Sequence, residues 1–263
     1  MRRTCGVRLN FWADRVEQRM TMIDRSLNYG RSAIESFLRS ISPIERALDI
    51  GAGSGTDLEA VRRCSPGAAL YAVESYPPNV EKLQQAKIEV LQANVERHAL
   101  PFADEFFDVV MSNQTLEHIK EFFWILHNMS RTLKVGGHLV IGVPNLASAH
   151  NRLLLLTGRQ PTCLQNASAH VRGYTKHDFL RALEKIFPGG YKLEGFAGAN
   201  FYPFPPVLAR PLAALAPNHA WAIFMLLRKT RSYGEEFLEF PVHQRLETNF
   251  YLGENGHGAK HVV

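Results

Sequence analysis

Five residues of strand character, Arg46-Ala47-Leu48-Asp49-Ile50, run directly into Gly51-Ala52-Gly53-Ser54-Gly55, and a helical stretch begins at Thr56. Few folds accommodate such a junction. Alternate glycines let the backbone turn at once and let a ligand approach where a Cβ would block it. In an open α/β sheet the turn lies beyond the carboxyl end of a strand, which is where ligands bind. The spacing Gly-x-Gly-x-Gly is neither Gly-x-Gly-x-x-Gly nor the phosphate loop Gly-x-x-x-x-Gly-Lys. No lysine follows the loop to meet a phosphate, which argues against a nucleotide triphosphatase. Asp49, just before the glycines, would repel a phosphate and suits a ligand with an ammonium group. Glu74 ends the next strand, where a carboxylate can accept two hydrogen bonds from ribose hydroxyls.

Strands and helices alternate from here on. The pattern predicts strands at 46–50, 69–74, 88–91, 107–112, 138–143, 191–197 and 246–252, with helices at 56–63, 78–86 and 121–133. Gly136-Gly137 is expected to end the third of these helices. Thr175-Lys176-His177-Asp178 has the form of a capping box, with Asp for the usual Glu or Gln, and opens a helix to about Phe187. Upstream, residues 11–40 read as helical, with Trp12, Val16, Ile23, Leu27, Ile34, Phe37 and Leu38 near helical spacing. This βαβα order predicts an α/β fold with a mostly parallel, seven-stranded sheet and helices on both faces.

Composition narrows the class further. With 46% apolar residues and a net charge of +5, the chain is not disordered over its bulk. Cys5, Cys64 and Cys163 stand far apart, form no metal-spaced pair and are odd in number, so a reducing cytoplasm is the default. The pI of about 9.2 reflects diffuse positive charge, which suits an anionic substrate, an acidic membrane surface or nucleic acid and selects none of them. The start, Met1-Arg2-Arg3-Thr4-Cys5, has no apolar stretch behind it long enough for a signal peptide. Residues 212–227 come nearest to a membrane span, but they contain Pro217, Asn218 and His219 and fall short of the ~20 apolar residues needed.

A set of stretches resembles the class I S-adenosylmethionine-dependent methyltransferases. They are Leu48-Asp49-Ile50-Gly51-Ala52-Gly53-Ser54-Gly55, Ala72-Val73-Glu74, Ala93-Asn94-Val95-Glu96, Leu100-Pro101-Phe102 and Phe107-Asp108-Val109-Val110. Ser112-Asn113-Gln114-Thr115-Leu116-Glu117-His118-Ile119 and Leu133-Lys134-Val135-Gly136-Gly137-His138-Leu139 complete the set, which spans roughly residues 44–145. The resemblance implies a Rossmann-like fold and S-adenosyl-L-methionine as cofactor. Gly51, Gly53 and Gly55 would pass beneath its methionine part, Asp49 would organise the loop and meet the amino group, and Glu74 would hold the ribose. Asn94 stands where the family often has Asp; it can still bond the adenine, and the backbone of Val95 would meet the adenine edge. Gln114 lies where the cofactor and substrate sites meet. A looser set, Pro144-Asn145, Asn151-Arg152-Leu153-Leu154-Leu155-Leu156 and Gly158-Arg159-Gln160-Pro161, is similar to MetW-like proteins and to methyltransferases of bacterial glycan or lipid biosynthesis.

The organisation expected from this is a helical segment at 1–43, a cofactor-binding core at 44–145 and a substrate-side insertion at 146–174. The rest of the sheet follows at 175–252, with an apolar and basic insertion at 200–231, and then a flexible tail at 253–263. Oxygen methylation benefits from a base, and His118 and His170 are the candidates. His170, Arg172 and Tyr174 together would present one base and one anion-binding guanidinium. No zinc spacing, nucleophile elbow or carboxylate cluster is present, so no metal is expected. No RNA-binding signature or Asn-Pro-Pro-Tyr motif points to nucleic acid. The expected acceptor is a hydroxyl on a glycan, glycolipid or secondary metabolite. A non-catalytic cofactor-binding partner protein and a methyltransferase of small amines or quinone-like rings are the alternatives. Residues 212–227, followed by Arg228-Lys229-Thr230-Arg231, read either as a peripheral membrane contact or as a cover over the substrate site or a dimer contact. Both readings stay open.

Overall fold

Strands buried on both faces read as near-continuous apolar runs, and the middle of this chain supplies them. The computed structural model describes residues 27–247 and 249–253, so Trp12, Val16, Ile23 and residues 254–263 lie outside the described residues. The elements in chain order are α1 (Arg31–Ser40), β1 (Arg46–Ile50), α2 (Thr56–Cys64), β2 (Ala69–Val73), α3 (Pro77–Gln85), β3 (Glu89–Leu91) and β4 (Phe107–Asn113). They continue with α4 (Phe122–Thr132), β5 (Leu133–Pro144), α5 (Ala149–Leu156), α6 (Lys176–Ile186), β6 (Tyr191–Ala199), α7 (Pro206–Leu215), β7 (Ala222–Lys229) and α8 (Glu236–His243). One seven-stranded sheet runs in the order β3-β2-β1-β4-β5-β7-β6. All pairings are parallel except that β7 runs antiparallel to both β5 and β6.

Alternation along the strands sorts the core into two layers. Leu48, Val110, Leu139, Ile141 and Met225 face α4, α6 and α8, whereas Ala47, Val109, Met111, Val140 and Phe224 face α1, α2 and α3. Side chains two apart share a face, so each strand contributes to both layers. Thr175 caps α6 as its sequence suggests, its side chain accepting from the Asp178 N–H. Replacing Thr175 by Ala is expected to cost about 1 kcal/mol of stability, read as a shift in the urea midpoint.

Three expectations are corrected. The described residues of 246–252 form no strand; the seventh strand is β7, which lies inside the supposed insertion. Its residues Ile223, Phe224, Met225 and Leu227 are buried between β5 and β6, so the 222–227 half of the apolar run is sheet core and not a membrane contact, a cover or a dimer face. The basic cluster behind it is largely engaged internally. Lys229 is fully buried, and its ammonium donates to the carbonyls of Ser130 and Leu133 at 2.8 and 2.7 Å. Arg231 pairs with Glu236 at 2.8 Å. Charge next to apolar residues reads alike whether the run is interfacial or a central strand, because the β5 and β6 partners are distant in sequence. Gly136-Gly137, expected to end a helix, instead lie within β5, where the pairing with β4 shifts register. Among the described residues no helix is long and apolar enough to cross a membrane.

Candidate functional site

The glycine loop caps the carboxyl end of β1, between β2 and β4, where the order of connections reverses. Val73 of β2 anchors it, its carbonyl accepting from the Gly51 N–H at 2.8 Å. Glu74 then clamps the loop. One carboxylate oxygen accepts from the Gly53 N–H at 2.8 Å and the other from the Ser75 and Tyr76 N–H groups, both at 2.8 Å. Gly51 and Gly53 both sit at positive φ, 77° and 54°. A Cβ on Gly51 would overlap the Thr115 side chain, so packing demands the glycine there; at Gly53 a Cβ would meet nothing within 4 Å. The free space above the loop therefore opens at Gly53.

Three carboxylates converge beneath this space. Asp49 is 2% exposed, and its Oδ1 has no hydrogen-bond partner among the described residues. Burial, and then the neighbouring Asp57 and Glu74 carboxylates, push Asp49 well above the ordinary carboxylate range. Asp57, in the first turn of α2, accepts from the Asn113 amide at 2.8 Å. Burial also raises Asp57. The Asn113 Oδ1 atom is likewise buried and unpartnered. Such a cluster has unmet acceptors and excess negative charge, and a cationic ligand with N–H donors would relieve both. The α-ammonium and sulfonium of S-adenosylmethionine, the cofactor the resemblance implies, fit this requirement.

Gln114 follows β4 in the left-handed region, at φ 54°, with its side-chain amide nitrogen buried and unpartnered. Non-glycine residues are rarely held there, and such positions concentrate at binding sites. Asn94 is exposed, and its Oδ1 accepts from the Glu96 N–H at 2.9 Å, so the side chain caps its own turn. Val95 is half-buried against the core.

The segment from Asn113 to His118 links this loop to a second cluster. The insertion after β5 folds back along it, with the Val171 N–H donating to the Glu117 carbonyl at 2.8 Å. Asn151, buried like Asn145, ties the middle of the insertion to its start. The Asn151 amide donates to the Asn145 carbonyl at 2.9 Å, and its oxygen accepts from the Thr162 N–H at 3.0 Å. His118 and His170 are thereby brought edge to face, ring centroids 4.7 Å apart. Each ring's Nδ1 lies against a backbone carbonyl, His118 on Ala169 at 3.2 Å and His170 on Cys163 at 3.0 Å. A carbonyl only accepts, so both Nδ1 atoms carry the proton and both Nε2 atoms present lone pairs. Burial, with His170 adding to it, lowers the His118 pKa.

Glu117 joins the two rings. It is 2% exposed, its Oε2 has no partner, and burial pushes its carboxyl up to about 7. Tyr174 and Arg172 do not join them. The Tyr174 hydroxyl donates to the Leu116 carbonyl at 3.2 Å within the core, and the Arg172 guanidinium lies over the Phe122 ring at 4.9 Å. Sequence reasoning passed over Asp57, Asn113 and Glu117. The signal for Glu117 was a carboxylate between Leu116 and His118 that turns inward with its apolar neighbours. Asp57 and Asn113 carry no such signal, since only the β1–β4 pairing brings them together.

Fold and site together define a Rossmann-like α/β protein whose ligand site is lined with carboxylates at the β1–β4 crossover. Residues 48–141 match the family model described as a methyltransferase domain, a match that covers the strands and loops of the candidate site. The bifunctional methionine biosynthesis protein MetXA/MetW of Rhodopirellula baltica is 34% identical over 48% of this chain and 21% of its own length. The demethylmenaquinone methyltransferase of Mycobacterium marinum is 32% identical over 43% of this chain and 47% of its own. The chain thus spans less than half the length of these curated relatives. The plantazolicin methyltransferase BpumL, solved in complex with SAH, superposes at a TM-score of 0.55 with 16% identity, over 83% of this chain and 91% of its own. That likeness concerns the fold.

Proposed function

We propose that the chain transfers a methyl group from S-adenosylmethionine to a hydroxyl oxygen of an acceptor bound beside His118 and His170. The observation that carries the cofactor reading is Asp49, whose buried, unpartnered Oδ1 lies next to Asp57 and Glu74 and is left wanting a cationic donor. When bound, S-adenosylmethionine supplies an electrophilic sulfonium methyl, which passes to the oxygen and leaves S-adenosylhomocysteine. The chain's task is alignment and exclusion of water. Gly53 leaves room for the methionine part, and Asp49 and Asp57 balance its positive charge. Glu74 holds the ribose by exchanging its bond to the Gly53 N–H for a hydroxyl, since three of its roughly four acceptor sites are on backbone N–H groups. Asn94 and the Val95 backbone meet the adenine, and Gln114 spans the boundary to the acceptor. His118 and His170 present their Nε2 lone pairs on the acceptor side and activate the oxygen.

The acceptor we favour is a glycan- or lipid-linked hydroxyl. Leu153, Leu155 and Leu156 of α5, inside the insertion, and Val207, Leu208 and Leu215 of α7 are 49–84% exposed, an unusual number of large apolar groups on two short helices. Methyl-labelled S-adenosylmethionine offered with hydroxyl, amine and quinone-ring acceptors is the test. Label appearing only on amines or rings would move the acceptor, and failure of the chain to bind S-adenosylhomocysteine would remove the methyltransferase reading. Glu74→Ala is expected to weaken S-adenosylhomocysteine by about 1–3 kcal/mol, the scale of lost hydrogen bonds to a charged group, as measured by calorimetric titration.

A further inference from the structure

We propose that Glu117, His118 and His170 form a binding site for a divalent first-row transition ion, such as zinc, on the acceptor side of the methyl-transfer centre. The inference rests on the function proposed above for its role, though not for the existence of the site.

The three side chains come from separate parts of the chain, Glu117 and His118 from the turn after β4 and His170 from the insertion after β5. One ligand atom of each lies within 4.8 Å of the others. Zinc–nitrogen bonds of 2.0–2.1 Å place neighbouring tetrahedral ligands about 3.3 Å apart, so the set is open by about 1.5 Å at most. His118 is exposed, so its ring has room to approach the other two groups.

Three further observations point to an ion. First, a metal-ligating imidazole almost always donates its other ring N–H to a carbonyl, carboxylate or water, which fixes ring and tautomer. Both histidines already do so, on Ala169 and Cys163, and both keep Nε2 for a ligand. Second, Glu117 is a buried carboxylate with an unpartnered Oε2, and among the described residues no ion pair compensates it. A buried carboxylate without a cation is costly unless it coordinates a metal. Third, the backbone around the cluster is tied down, with both Val171 and Arg172 N–H groups donating to the Glu117 carbonyl.

Two imidazoles and one carboxylate suit zinc, iron(II), cobalt or nickel; magnesium and calcium prefer oxygen throughout. Three protein ligands leave at least one coordination position open, as catalytic sites do. With the ion bound, both Nε2 lone pairs are engaged and the histidines act through the ion and not as direct bases: an acceptor hydroxyl in the open position would have its acidity raised, its proton passing to solvent water, and its oxygen would be held facing the methyl group. The sequence spacing leads to the opposite expectation, no metal, because the third ligand is 52 residues beyond the second by numbering, His170 against His118.

The test uses the full, untagged chain, stripped with chelator and titrated with Co(II) while its visible d–d absorption is followed, then with Zn(II) in competition. One ion per chain is expected, with affinity lowered at least about 100-fold in His118→Ala, His170→Ala and Glu117→Gln. Glu117 is buried, so circular dichroism accompanies its variant; His170→Ala, at a half-buried loop position, decides the matter if Glu117→Gln does not fold. Absence of stoichiometric binding by the wild type overturns the site, as does wild-type affinity in His118→Ala and His170→Ala. Titration of the same samples with S-adenosylhomocysteine separates the two readings: binding of the nucleoside without Co(II) removes the metal site alone, and binding of neither removes both.

Discussion

Gly53→Val is expected to abolish binding of S-adenosylhomocysteine, on the order of 10³-fold or more, about 4 kcal/mol, while the protein stays folded. The contrast between two neighbouring glycines makes this variant informative. At Gly51 a side chain would collide with Thr115, so loss of binding there would be confounded with loss of packing. At Gly53 a Cβ meets nothing within 4 Å, so the added isopropyl group enters open space, the space that the proposed function gives to the methionine moiety. The backbone at φ 54° does penalise a β-branched residue, by roughly 1–3 kcal/mol, which lowers the unfolding midpoint and leaves the native state populated. Calorimetry of the variant beside its urea denaturation curve gives both numbers. Wild-type affinity in a folded Gly53→Val protein would place the ligand elsewhere.

His170→Ala is expected to lower turnover by ~10²–10⁴-fold with unchanged affinity for S-adenosylhomocysteine, the range for loss of a positioned group that acts on the acceptor proton. His118→Ala should behave alike, because the two rings share one cluster at 4.7 Å and each presents its Nε2. Their single-variant losses should not add in the double variant, since residues that act as a unit are strongly non-additive. Measuring kcat and cofactor affinity for the three proteins decides the assignment. Near-wild-type kcat in both single variants would mean that alignment alone drives the transfer. Loss of cofactor affinity in His118→Ala would move that ring into the cofactor pocket.

The central strands were legible because a strand buried on both faces leaves a composition signature that needs no partner to be recognised. β1, β2 and β4 begin where the apolar runs begin, and Pro77 and Pro78 mark the start of α3. Edges were harder. Residues 246–252 have an alternation that suits a strand, yet no strand partner lies beside them, and the antiparallel place between β5 and β6 is taken by residues 222–229. Pairing is a property of two segments, so the alternation of one does not decide it.

By itself, the sequence determined that the chain forms a mostly parallel α/β sheet with a glycine loop at Gly51–Gly53–Gly55 and acidic residues at two strand ends, Asp49 and Glu74. These are local properties: periodicity, glycine at turns and charge at a strand's end act over a few residues. Only the tertiary structure decided that Asp57 and Asn113 complete the carboxylate cluster, that the apolar run at 222–229 is core, and that Glu117 and His118 meet His170. Each of those facts depends on contacts between segments tens of residues apart. Their energies come from burial and hydrogen bonds that exist only after the sheet has formed and the insertion has folded back across it.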